Sequence, residues 1–253
     1  FDDTNDEPGA ESDDSSAADA SVLPPTINLA LELAQPLRYG ENPHQQGARY
    51  RRSGSVSWWD EMTQHNGKEL SYLNVFDTEA AWRLVQRFDG PACVIVKHAN
   101  PCGVAVADHI TDAYARANAC DPVSAFGGIV ALNRSVPVEL ARALGEVFTE
   151  VIVAPAYDDD ALDVLAAKKN LRVISAVALA PLPFDLRPVD GGFLVQQADA
   201  VSPRSGAWRI VTAATPTDAQ WGDLEFAWLV CAAVSSNAIV YAKDRQAFGI
   251  GAG

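Results

Sequence analysis

The sequence predicts an α/β layered fold with largely parallel strands. Short runs rich in Val, Ile and Ala, at 92–96, 128–132, 151–154 and 171–176, have the two-sided apolar character of strands buried in a core sheet. Amphipathic stretches at 111–119, 138–147 and 158–169 lie between them and read as helices. The links are short, so strand and helix alternate as a layered α/β domain requires.

Each element has a local reason. Residues 1–20 hold eight carboxylates and no Lys or Arg, with few large apolar side chains, so 1–26 reads as a disordered acidic linker. Order is expected to begin near Ile27, where 28–33 carry the first apolar pattern. Asp77 or Thr78 can cap a helix whose stripe is Ala80, Ala81, Leu84, Val85 and Phe88. Strand 92–96 follows, and Asn100-Pro101 with Gly103 reads as the turn that stops it. Pro137 suits the first turn of helix 138–147. Residues 181–187 are a Pro-rich break, and Gly191-Gly192 opens a short strand over 193–196. Residues 208–212 read as a strand, 218–234 as a helix and 239–242 as a strand. The chain therefore divides into the linker 1–26, a first unit over 27–202, and a second over 203–253. That second unit is expected to be incomplete, because about fifty residues lie near the lower limit for an independent core.

Composition bounds the function. The chain has 253 residues, 48% of them hydrophobic, enough to bury a core. Its formal charge is −14, and since residues 1–20 supply eight of those negative charges, the remainder carries −6. That balance argues against a nucleic-acid backbone as main partner. Cys93, Cys102, Cys120 and Cys231 are scattered without a CxxC, which fits a reducing, cytoplasmic compartment. The sequence shows no secretory signal and no apolar run long enough to span a membrane. Phe1 in place of an initiator Met marks a processed chain or a piece of a longer one.

Four stretches could carry chemistry. Lys97 and His98 sit at the C-terminal end of a core strand, the edge where open α/β sheets bind ligands, and offer a fixed cation beside a proton acceptor. The plainer reading is a solvated Lys and a structural His. Within 37–45, Arg38 offers a fork for phosphate and Tyr39 a stacking face, although a polar loop is the commoner case. The glycines at 127 and 128 let a backbone approach a ligand, or simply turn the chain. Asn237 can pair a donor and an acceptor with a ligand, or cap a turn. The Gly-rich run 249–253 is a weak dinucleotide signal, since no helix follows it. His98 and Cys102 lack the paired cysteines of a zinc deaminase, so no zinc is expected.

Together these stretches resemble the bifunctional purine-biosynthesis family AICAR transformylase/IMP cyclohydrolase, in its formyltransferase domain. The resemblance rests on LRYGENPHQ at 37–45, VKHANPCG at 96–103, DPVSAFGGIVALN at 121–133, VIVAPAY at 151–157, LAAKKNLRV at 165–173, SSNAIVYAKD from 235 and GIGAG at 249–253, all in the family's order. It implies tandem cytidine-deaminase-like units without zinc, and formyl transfer from 10-formyltetrahydrofolate to the 5-amino group of AICAR. It also implies His98 as catalytic base, Lys97 as its transition-state partner, and Arg38, Tyr39, Gly127, Glu150 and Asn237 as substrate-binding residues. The expected assembly is a homodimer with shared active sites. The family's cyclohydrolase domain would precede residue 1, and its folate-binding segment would follow GIGAG. The alternative is therefore a truncated fragment that binds AICAR or itself without turnover.

Overall fold

A computed structural model describes residues 23–181, 184–199, 201 and 208–253. The acidic linker expected over 1–26 falls, as far as residue 22, outside the described residues. The chain divides into a small unit, 1–28 with 182–199, and a large one, 29–181 with 200–253.

The large unit opens with an antiparallel ribbon, β1 (Leu31–Leu37) and β2 (Gly47–Arg52). A short helix, α1 (Trp58–Glu61), leads into β3 (Thr63–Asn66). Helix α2 (Tyr72–Val85) is capped by Ser71, whose hydroxyl accepts from the Asn74 N–H while the Asn74 side chain accepts from the Ser71 N–H. Then come β4 (Ala92–Lys97), β5 (Asn100–Val106), α3 (Ile110–Asn118), α4 (Pro122–Ala125) and β6 (Ile129–Leu132). Next are α5 (Val138–Glu146), with Pro137 at its N-cap, β7 (Val151–Ala154), α6 (Asp159–Ala166) and β8 (Arg172–Ser175). The small unit contributes one hairpin, β9 (Phe184–Val189) with β10 (Gly192–Gln197). The large unit resumes with α7 (Asp218–Cys231), β11 (Ile239–Lys243) and β12 (Gln246–Gly251).

Eight strands form one mixed sheet in the order β11-β12-β5-β4-β6-β7-β8-β3. Only β6–β7 and β7–β8 pair in parallel; the other five neighbours are antiparallel. The expectation of largely parallel pairing is thus corrected. A strand buried on both faces shows the same apolar run in either direction, whereas a two-residue link such as His98-Ala99 or Asp244-Arg245 forces an antiparallel return.

Strand alternation splits the core into two layers. Ala92, Val94 and Val96 of β4 pack with Trp58, Trp59, Trp82 and Phe226 on one face. Cys93 and Ile95 pack with Tyr114, Leu140 and Leu165 on the other. Helices α1, α2 and α7 therefore cover one face, and α3, α5 and α6 the other.

Four local expectations are also corrected. Asn100, Pro101 and Gly103 lie within β5, not in a turn. Asp77 lies inside α2 rather than capping it; the exposed Tyr72 and Phe76 in the first turns hid the true start. Residues 184–187 of the expected Pro-rich break are strand, since both strands of a two-stranded ribbon are edges and tolerate Pro188. Residues 208–212 form no strand.

Candidate functional site

Strand β4 ends at Lys97, and the next two residues make the hairpin turn. Both have left-handed backbone, His98 with φ 55° and Ala99 with φ 60°. Two-residue hairpin turns of this kind favour Asn-Gly, and each non-glycine residue in that region costs about 1 kcal/mol. The turn is held from α2. Asp77, 9% exposed, accepts from the His98 N–H through Oδ2 at 3.2 Å and from the Ala99 N–H through Oδ1 at 2.8 Å. Burial raises the Asp77 carboxyl above its ordinary value, and the two amide hydrogen bonds pull against that shift. The His98 side chain is exposed, and among the described residues its imidazole has no hydrogen-bond partner.

Lys97 turns its Nζ to the Phe126 carbonyl oxygen at 2.9 Å. That carbonyl precedes Gly127, whose φ of 73° and whose N–H bond to the Phe148 carbonyl, 2.7 Å, shape the tight passage into β6. A Cβ at Gly127 would meet the Phe148 ring at 3.4 Å. Glu150 leads into β7 and accepts from buried Arg172 at the start of β8, Nη1 to Oε2 at 2.5 Å. Arg172 Nη2 also donates to the Glu69 carbonyl at 3.3 Å, while its buried Nε has no hydrogen-bond partner among the described residues. Arg38, just after β1, lies over the Tyr39 ring at 4.7 Å and donates to the Tyr39 hydroxyl at 3.1 Å. Backbone bonds from Arg38 N–H to Leu70 O and from Tyr72 N–H to Tyr39 O tie this segment to the start of α2.

Six of the seven predicted site residues, Arg38, Tyr39, Lys97, His98, Gly127 and Glu150, line one cavity of about 350 Å³. That is the low end for small-molecule sites and suits a single nucleotide-sized ligand. Asn237 is not among its lining residues. Its segment still reaches the β4–β5 turn, because Ser235 N–H donates to Asn100 Oδ1 at 2.8 Å and Asn100 Nδ2 donates to the His98 carbonyl at 3.3 Å. The cavity carries four cations, Arg38, Lys68, Lys97 and Arg172, against two carboxylates, Asp77 and Glu150. That excess of positive charge favours an anion over a cation.

Residue patterns had not singled out Lys68 or Arg172, and had marked Asp77 only as a helix cap. Lys68 sits in a polar loop like many others. Arg172 lies in an apolar strand run, where its charge was the one available signal. Burial first, then the nearby Asp121 charge, push the Cys102 thiol up to about 12, which favours the protonated thiol over the nucleophilic thiolate. Among the described residues, no group of three or more His, Cys, Asp or Glu side chains is arranged to hold a metal ion. No described helix is long and apolar enough to cross a membrane.

Compared with known families, residues 10–253 match the one described as AICARFT/IMPCHase bienzyme. The chain belongs to this family. Its members are bifunctional enzymes of purine biosynthesis, with AICAR formyltransferase and IMP cyclohydrolase activities. The match spans the cavity and every residue lining it.

Proposed function

We propose that this chain transfers a formyl group from 10-formyltetrahydrofolate to the 5-amino group of AICAR, giving FAICAR and tetrahydrofolate. The observation that carries the reading is the convergence of Lys97 and His98 with Arg38, Tyr39, Gly127 and Glu150 on one cavity. The formyl donor supplies the reacting carbon, and a cavity of this volume holds the nucleotide rather than both substrates at once.

The chain's own residues suit the nucleotide and its proton. Arg38 and Lys68 offer a fork and a point charge for the ribose phosphate. The Glu150 carboxylate, held by Arg172, can accept from a ribose hydroxyl. The 5-amino group is conjugated to the imidazole ring and is a poor nucleophile, so its proton must leave as the new C–N bond forms. The exposed His98 imidazole can take it. Lys97, steered by the Phe126 carbonyl, supplies positive charge where the formyl oxygen gains negative charge.

The wider reading is a cytoplasmic homodimer with shared active sites, two tandem cytidine-deaminase-like units and no zinc. Asn237 would read the carboxamide edge of AICAR. Its place outside the lining residues keeps a second reading alive, a fragment that binds AICAR without turning it over.

Transfer measured with wild type and His98→Ala side by side, with AICAR affinity by calorimetry, separates these readings. The expected result is turnover that falls at least ~10²-fold in His98→Ala while affinity is kept. Binding without turnover in wild type selects the fragment, and neither binding nor turnover sinks both readings.

A further inference from the structure

We infer that Asp77 is the positioning residue that holds His98 in its reactive orientation; the claim rests on reading His98 as the general base. Asp77 touches the backbone of the turn, so it acts through His98 and is not itself a catalytic residue. Its carboxylate spends both oxygens on two consecutive amides, those of His98 and Ala99. Those amides belong to the two adjacent non-glycine residues of left-handed backbone that make the β4–β5 turn. Such a conformation persists only where its surroundings over-determine it. Here the sequence places His-Ala where an unaided turn takes Asn-Gly, and a buried carboxylate from α2 does the holding.

The chemistry explains why an aspartate stands there. Two N–H donors need two acceptors. An asparagine offers one oxygen and turns its own N–H groups toward the second amide. Because the hold is on the main chain, the imidazole keeps both ring nitrogens for substrate. Helix α2 is anchored in the core through Ala81, Trp82, Leu84 and Val85, so the turn inherits a rigid reference.

The test compares the whole chain as wild type, Asp77→Asn, and Asp77→Asn with Ala99→Gly. The readouts are kcat and KM for transfer, thermal midpoint, and hydrogen exchange at the His98 and Ala99 amides. Asp77→Asn is expected to lose protection at both amides and to lower kcat about 10²-fold, with KM for AICAR within about threefold. Glycine at 99 accepts the left-handed backbone without strain, so the double variant is expected to recover about tenfold of the lost kcat. A wild-type kcat in Asp77→Asn overturns the inference, as does a loss that tracks the thermal midpoint with no recovery in the double variant. If Asp77→Asn does not fold, Ala99→Val strains the same turn from outside the helix, and an unchanged kcat there overturns it. A wild type without transfer defeats the proposed reaction instead. The exchange arm then decides the positioning claim: lost protection in Asp77→Asn supports it, and unchanged protection overturns it.

Discussion

At the residue scale, the site is a set of short reaches from fixed backbone. Lys97 is directed by a carbonyl two residues before the Gly128 passage into β6, and His98 by a carboxylate on a neighbouring helix. Lys97→Met is expected to lower kcat about 10²-fold with little change in KM for AICAR, as for loss of charge stabilisation in the transition state. An effect on KM alone, in steady-state kinetics, would make Lys97 a binding residue. Arg172 is a different case. It is buried and joins Glu150 to the Glu69 carbonyl, so its loss strands one carboxylate and one carbonyl. Arg172→Met is expected to destabilise the fold by about 1–3 kcal/mol, since the Glu150 side chain, 35% exposed, stays partly hydrated, and to weaken AICAR binding. A urea midpoint equal to that of wild type would rule out the structural half of this expectation.

At the element scale, close packing sets which glycines can change. Gly103 of β5 lies under α3, and a Cβ there would sit 2.2 Å from the Ala117 carbonyl oxygen. Backbone cannot yield as a flexible side chain does, so Gly103→Ala is expected to push α3 off the sheet and cost upwards of ~3 kcal/mol. Gly222 lies inside α7 with nothing within 4 Å of a Cβ. Gly222→Ala is expected to stabilise the chain by roughly 0.5–1 kcal/mol through the smaller entropy loss of alanine in a helix. Denaturant titration of the two variants checks both signs at once. Helices α3, α5 and α6 were legible in the sequence because each buries one clean stripe. The start of α2 was not, because its first turns carry aromatic residues that stay in solvent.

At the scale of the whole molecule, charge makes the fold sensitive to acid. Burial by itself raises the Asp60 carboxyl, but hydrogen bonds from Arg49 and from the Ser57 N–H and hydroxyl, with the Arg49 charge, outweigh it and bring it down to about 2. A carboxyl lowered on folding contributes stability above its unfolded value near 4. That contribution is lost as pH falls from about 4 toward 2. Asp60→Asn is therefore expected to flatten the acid limb of stability in that window and to lower stability at neutral pH. An acid limb identical to that of wild type, followed by thermal midpoint against pH, would refute the linkage. The pair also pins α1 beside β2, which positions Trp58 and Trp59 in the core.

What the sequence determined by itself was local. It marked the strands β4, β6, β7 and β8, the helices α3, α5 and α6 that lie between them in sequence, and the Lys-His pair at a strand end. Apolar period and strand-end chemistry are properties of neighbouring residues. It also marked, through resemblance, the six residues that meet at one cavity. Tertiary structure decided the rest. Strand direction depends on which edge a returning strand finds, and a two-sided apolar run is silent on that. Asp77 looked like a helix cap from its neighbours alone, yet its partners are 21 and 22 residues away along the chain. Arg172 drew no reading from its neighbours, and only folding brought it to Glu150. Hydrogen-bond partners far apart in sequence leave no period to read, because their meeting is set by packing of the whole sheet and its helices.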